Sequence, residues 1–149
     1  MVRPVRLYGT RNSKIRIRTK NAEIKKILVD INMSNSIFGY HLILDVSDMN
    51  SNISSVEKVE HWVRELVKRI DMVSFGEPRI ERFGEGDLVG ITAVQLIMTS
   101  SIVAHFTDLT GCGYIDVFSC KEFDQDDVIA WTHECFGGTI NNEQFLIRG

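Results

Sequence analysis

A chain of 149 residues that is 44% hydrophobic and 25% charged has the composition of a soluble globular protein, with enough material for one domain and a sizeable core. No apolar run reaches transmembrane length, and MVRPVRLYGTRNSKIRIRTK carries charge without the apolar centre of a secretory signal, so the expectation is a cytoplasmic protein with no membrane partner. The net charge of −3 conceals an asymmetry: residues 1–32 hold nine Lys/Arg against two Asp/Glu, net +7, and residues 33–149 hold eight against eighteen, net −10.

A basic arm of this kind invites nucleic acid. Aromatic stacking residues are nearly absent from it, which favours a solvated N-terminal extension over a nucleic-acid contact. A related reading starts the protein at Met33 and makes residues 1–32 upstream sequence; the domain proper is then 33–149. Three cysteines, Cys112, Cys120 and Cys135, cannot all pair and fit reduced thiols in the cytosol. With His133 they raise the idea of zinc, but no C-x-x-C pair is present and no metal is expected.

In chain order, FGYHLILDV (38–46) is apolar and β-prone and predicts a strand. After the turn-rich SDMNSN, Ser54 and Glu57 have capping-box spacing, which puts the N-cap at Ser54. Val56, Val59, Trp62, Val63, Leu66, Val67 and Ile70 follow at helical spacing and predict a helix of about four turns ending near Asp71. Strands are expected at 77–83, at 88–98 (LVGITAVQLIM, a nearly continuous apolar run), at 101–107 and at 113–120 (GYIDVFSC). Asp108–Gly111 reads as a turn. Asp124 caps a second helix over 125–136, stopped by Gly137-Gly138, and a short strand near 145–147 ends the chain.

The order β-α-β-β-β-β-α-β with short connections implies antiparallel pairing, and two helices on one face give an α+β two-layer sandwich. The other sheet face then lacks cover. The run at 88–98 has few polar positions to show to water, which argues for a partner subunit, most simply a homodimer.

Chemistry concentrates in MTSSIVAHF (98–106) and the cysteine that ends YIDVFSC. Ser100 falls in a two- or three-residue connection, where backbone is often strained. A serine hydroxyl at a strained peptide is placed to attack the preceding carbonyl, giving an ester that eliminates to leave a cut chain with a pyruvoyl N-terminus. That ketone forms a Schiff base with an amine and acts as an electron sink. A plain turn serine fits the same residue equally well. His105 sits on an apolar strand, as a hydrogen-bonded core histidine or a catalyst. Five residues from Ser100, it faces the opposite side of a regular strand, so the two converge only if Ser100 lies in the turn or a bulge intervenes. Cys120 ends its strand as packing or as a reactive thiol. Asp45, Asp48 and Asp116 fit an amine site or solvated structural groups. FGEGD matches no phosphate-loop or dinucleotide pattern.

Taken in register, these segments resemble the S-adenosylmethionine decarboxylase proenzyme family, in its small prokaryotic pyruvoyl-dependent class, from about Gly39 to Gly138. Gly39-Tyr40-His41-Leu42 resembles the family's opening Gly-x-His-Leu strand, Gly90-Ile91-Thr92-Ala93 the segment with a hydroxyl that assists processing, and Tyr114–Cys120 the strand ending in the catalytic cysteine. The resemblance implies that Ser100 attacks the Thr99 carbonyl and becomes the pyruvoyl cofactor. Thr92 and His105 would assist processing, and Cys120 would protonate the product. The substrate would be S-adenosylmethionine, decarboxylated for spermidine synthesis by protomers paired through their sheets. The family usually has glutamate before the reactive serine, where this chain has Thr99, and a ribose-holding carboxylate where it has Leu109, with Asp108 one place earlier as the substitute. Leu109 motivates an alternative substrate such as arginine or ornithine, and Thr99 an unprocessed, non-catalytic binding or regulatory subunit.

Overall fold

The computed structural model describes residues 36–149. The basic stretch 1–32 and the alternative start at Met33 lie outside the described residues. Six strands, β1 (Gly39–Met49), β2 (Arg79–Phe83), β3 (Gly90–Ile97), β4 (Ser100–Thr107), β5 (Cys112–Ser119) and β6 (Gly137–Arg148), form one sheet in the order β2-β3-β4-β5-β1-β6, with every neighbour antiparallel. Helices α1 (Val56–Arg69) and α2 (Gln125–Phe136) cover one face, so the fold is the α+β sandwich that the element order implies.

The period-2 alternation of the strands sorts the two faces. Leu42, Leu44 and Val46 of β1, Ile91 and Ala93 of β3, Ile102, Ala104 and Phe106 of β4, and Ile115 and Val117 of β5 point under the helices and are buried. Helix α1 answers with Val59, Trp62, Val63, Leu66 and Val67. Trp62 is the hub of this layer. Its ring meets Phe106 and Phe136 at centroid distances of 5.6 and 5.7 Å, and its Nε1 donates to Thr132 Oγ1 at 3.2 Å. Trp131 Nε1 donates in turn to the Trp62 carbonyl at 3.0 Å, so both buried indoles are satisfied and α1 is tied to α2. Glycine is required where strands crowd. A Cβ on Gly90 would lie 1.7 Å from the Phe106 carbonyl oxygen, and one on Gly39 would lie 2.8 Å from that of Ser119.

Three expectations are corrected. The N-cap of α1 is Ser55, whose hydroxyl accepts from Lys58 N; Ser54 turns away and donates to Asp108 Oδ1 at 2.8 Å. The last strand is no short tail: Gly137 (φ 63°) and Gly138 (φ 97°) end α2 and at once begin a twelve-residue β6 along β1. Ser100 is not in the turn. The two-residue connection is Met98-Thr99, and Ser100 already pairs with Ile97 on β3 and Ser119 on β5.

The second face carries Ile43, Val94, Leu96, Val103, Tyr114, Phe118 and Leu146 with no helix over them, and Leu96, Tyr114 and Leu146 are well exposed. No helix among the described residues is long and apolar enough to cross a membrane. Replacing Trp62 with alanine is expected to cost roughly 3–5 kcal/mol in urea unfolding, because it empties a fully buried site and orphans Thr132. Leu109→Ala, at a residue 74% exposed, is expected to stay within about 0.5 kcal/mol of the parent.

Candidate active site

The tight β3–β4 hairpin sets the geometry of the candidate site. With Ile97 paired to Ser100, the chain reverses over Met98 and Thr99 alone, and Ser100 takes φ 154°, a backbone conformation that glycine reaches freely and a side chain does not. The peptide just before it is held on several sides. Cys120 N–H donates to the Thr99 carbonyl oxygen at 3.0 Å. Ser119 Oγ donates to Thr99 Oγ1 at 3.0 Å, Thr99 Oγ1 donates to Met72 Sδ at 3.2 Å, and Lys121 N–H donates to Ser119 Oγ at 3.0 Å. The Thr99 carbonyl is thus polarised by an N–H from outside its own hairpin, the arrangement that stabilises negative charge when a nucleophile adds to that carbon. Cys120, one residue past the strand partner of Ser100, is exposed.

Thr92 and His105 form a second cluster. They sit directly opposite each other on β3 and β4, with Thr92 Oγ1 2.6 Å from His105 Nδ1, and the Phe83 ring lies 6.0 Å from the imidazole. With the hydroxyl engaging Nδ1, proton exchange with a further group falls to Nε2. Both residues point to the helix-free face, where Thr92 also lines a cavity of about 410 Å³ with Arg79, Glu81, Arg82, Phe83 and Val94. The structure joins His105 to Thr92 and separates it from Ser100. Ser100 begins a regular strand, and five residues of strand span about 16 Å. Asp108 follows Thr107, the last residue of β4, and so lies at the His105 end, away from Ser100. Its carboxylate is already shared between Ser54 and the Arg82 guanidinium, and Arg82 also holds the Ser54 carbonyl at 3.1 Å.

Several participants were not visible as motifs. Ser119 and Met72 hold Thr99 from the core side, and Ser119 takes an ordinary inward position of β5 beside Val117. His41 Nε2 meets Asp116 Oδ1 at 3.0 Å on the helix-free face, Asn142 donates to Asp45 Oδ2 at 3.2 Å and Ser47 Oγ donates to Asp48 Oδ2 at 3.1 Å, so all three carboxylates considered for an amine site have side-chain partners. Cys112, Cys135 and His133 do not gather, and among the described residues no group of three His, Cys, Asp or Glu is arranged to hold a metal.

Residues 40–149, 110 of the 149, match the family model described as S-adenosylmethionine decarboxylase. The match starts one residue after Gly39 and runs past Gly138 to the last residue. No curated protein matches the chain.

The thiols are distinguishable chemically. Burial pushes the Cys135 thiol up to about 11, so near pH 8 only about one in a thousand is thiolate. Cys120 is exposed. Brief iodoacetamide treatment of the folded protein at pH 8 is therefore expected to alkylate Cys120 well before Cys135, read by peptide mass; modification of Cys135 first would contradict the site as described.

Proposed function

The chain belongs to the S-adenosylmethionine decarboxylase family, and we propose that it is made as a proenzyme that cuts itself between Thr99 and Ser100 and then decarboxylates S-adenosylmethionine, giving the aminopropyl donor for spermidine synthesis. The observation that carries this reading is the Thr99–Ser100 peptide itself: a non-glycine residue at φ 154° whose preceding carbonyl accepts the Cys120 N–H. Strain of this kind persists only where surrounding contacts enforce it, and it clusters at sites of chemistry.

The steps balance on this chain's own atoms. Ser100 Oγ adds to the Thr99 carbonyl carbon while the Cys120 N–H holds the developing oxyanion. The C–N bond breaks, leaving Thr99 as an ester on Ser100 Oγ and a free amine on residue 100. Loss of the residue-100 α-proton then breaks Cβ–Oγ and releases the Thr99 carboxylate. The dehydroalanine left at the new N-terminus tautomerises to an imine, takes up water and loses ammonia. The residues fit a pyruvoyl group at position 100, since the serine that would form it lies at a held, strained peptide with Cys120 next to its strand partner. The pyruvoyl carbonyl supplies an electron sink for loss of a carboxylate. Cys120 Sγ delivers the proton to the carbon that has lost carbon dioxide.

Removing the α-proton calls for a base, and His105 with Thr92 is the unit suited to it. At about 16 Å from Ser100 in the same chain it cannot act there. The helix-free apolar face offers the answer. A two-fold axis that crosses the strands in that face lays the His105 end of one copy over the Ser100 end of the other, and in this reading the second copy completes the processing site. Asp108 lies at the same end as His105 and would arrive with it, towards the ribose. Its existing bonds to Ser54 and Arg82, and the exposed Leu109 beside it, favour a second reading in which the substrate is another amino acid such as arginine or ornithine.

Intact-mass measurement of the denatured protein is expected to give two pieces broken between Thr99 and Ser100, the second with a blocked N-terminus, and Ser100→Ala is expected to give one uncut chain. Carbon dioxide release from S-adenosylmethionine, arginine and ornithine then separates the substrate readings. Co-production of Ser100→Ala with His105→Ala chains is expected to restore cutting of the His105→Ala chain, which supplies Ser100 while its partner supplies the histidine. Two uncut chains from that mixture would place the base within one copy and overturn the shared site.

A further inference from the structure

We infer that Ser119 is a positioning residue for self-cleavage, and that its hydroxyl takes over in this chain the anchoring of the residue before the scissile bond; the inference rests on the processing reading above. Ser119 is fully buried, a polar residue among the inward positions of β5 that are otherwise Gly113, Ile115 and Val117. A buried hydroxyl needs both roles filled, and here both are. Lys121 N–H donates to Ser119 Oγ, Ser119 Oγ–H donates to Thr99 Oγ1, and Thr99 Oγ1–H donates to Met72 Sδ. Ser119 Oγ also lies 3.6 Å from Met72 Sδ, so the two hydroxyls and the thioether form one small cluster that holds the Thr99 side chain. Met72 sits after α1 and is itself nearly buried, which ties the relay to the helical layer and not only to the sheet.

The relay lies next to the bond that must break. Ser119, Cys120 and Lys121 are consecutive, and all three reach Thr99 or its anchor: Ser119 through its hydroxyl, Cys120 through its N–H on the Thr99 carbonyl, Lys121 through its N–H on Ser119. The end of β5 therefore grips Thr99 by side chain and carbonyl together, while the ladder grips Ser100 through Ile97 and Ser119. A peptide fixed on both sides cannot relax its φ, and strain that cannot relax is available to the acyl shift. The Ser119–Met72 surface offers a hydroxyl and a thioether at 3.0 and 3.2 Å, and the threonine hydroxyl meets both. The inference accounts for why Thr99 need not disable the site: the hydroxyl of Ser119 is matched to it.

The test is the first-order rate at which the full-length protein is converted to two fragments, followed by intact mass in the parent and in Ser119→Ala, Ser119→Thr, Thr99→Val and the Ser119→Ala/Thr99→Val double variant, with thermal unfolding recorded for each uncut chain. Removal of one buried, oriented hydrogen bond is expected to slow cutting about tenfold in Ser119→Ala and in Thr99→Val. Ser119→Thr, which keeps the hydroxyl, is expected to stay within about threefold of the parent. The double variant is expected to be no more than about threefold slower than either single, because both singles break the same bond. Cutting of Ser119→Ala at the parent rate, Ser119→Thr as slow as Ser119→Ala, or singles that multiply in the double would each overturn the positioning role while leaving the processing reading intact. A parent protein that never cuts would overturn both. Rates that merely follow the melting temperatures across the series would assign Ser119 to packing and overturn the inference as well.

Discussion

Three antiparallel strands meet at Ser100, and its conformation follows from meeting both neighbours at once. Pairing to Ile97 leaves two residues for the reversal from β3, and pairing to Ser119 keeps the start of β4 flat against β5. The mismatch is absorbed at one φ angle. The Trp62–Phe106–Phe136 cluster pins β4 to the helices, Gly39 lets β1 close on the Ser119 end of β5, and Gly90 lets β3 approach β4 to within contact of the Phe106 carbonyl. The first and last of these contacts lie at the Thr107 end of the hairpin and the Gly39 contact at the Ser100 end, so β4 is held against its neighbours along its whole length.

The separation of functions along β4 is equally a matter of strand geometry. A strand advances about 3.3 Å per residue, so groups five and eight residues apart lie at different ends of the sheet whatever their side chains do. Ser100 and the Cys120 end of β5 occupy one end; Thr92, His105 and Asp108 occupy the other. The helix-free face between them carries aliphatic and aromatic residues from five strands. An uncovered apolar surface of this kind is the feature on which the proposed pairing of two copies rests.

The sequence made the elements legible because their signals were local. The spacing of Val59, Trp62, Val63 and Leu66 defines α1, and the apolar run 88–98 defines β3. Neighbouring serines did not reveal which would cap α1, since Ser54 is claimed by Asp108 across the fold and Ser55 takes the cap by default. β6 was read short because Thr139 to Gln144 are mostly polar and exposed, as suits an edge strand that buries little. At the site, Ser100, Thr92, His105 and Cys120 are recognisable by type and spacing. That Ser100 begins a strand, and so stands far from His105, depends on a backbone angle no residue type announces. Ser119 was invisible for the opposite reason: it occupies an ordinary inward position, and its importance comes from Thr99 and Met72, which are distant in sequence.

The strand order has a topological consequence for a chain opened at the Thr99–Ser100 bond. Residues up to 99 contribute β1, β2 and β3; residues from 100 contribute β4, β5 and β6. Across the sheet these alternate as β2-β3, then β4-β5, then β1, then β6, so the two pieces are interleaved at three strand boundaries. β1 is sandwiched between two strands of the other piece, and α1 packs on α2 from across the cut. Neither piece holds a continuous sheet of its own larger than a pair of strands plus an isolated one. Opening the bond therefore removes one covalent link and no ladder, and the pieces stay together as a woven whole. The same weave works against reassembly from separated pieces, since an intramolecular search becomes a meeting of two incomplete chains. For a chain that is cut at this bond, the weave favours one order: the sheet forms first from one continuous polypeptide, and the cut follows.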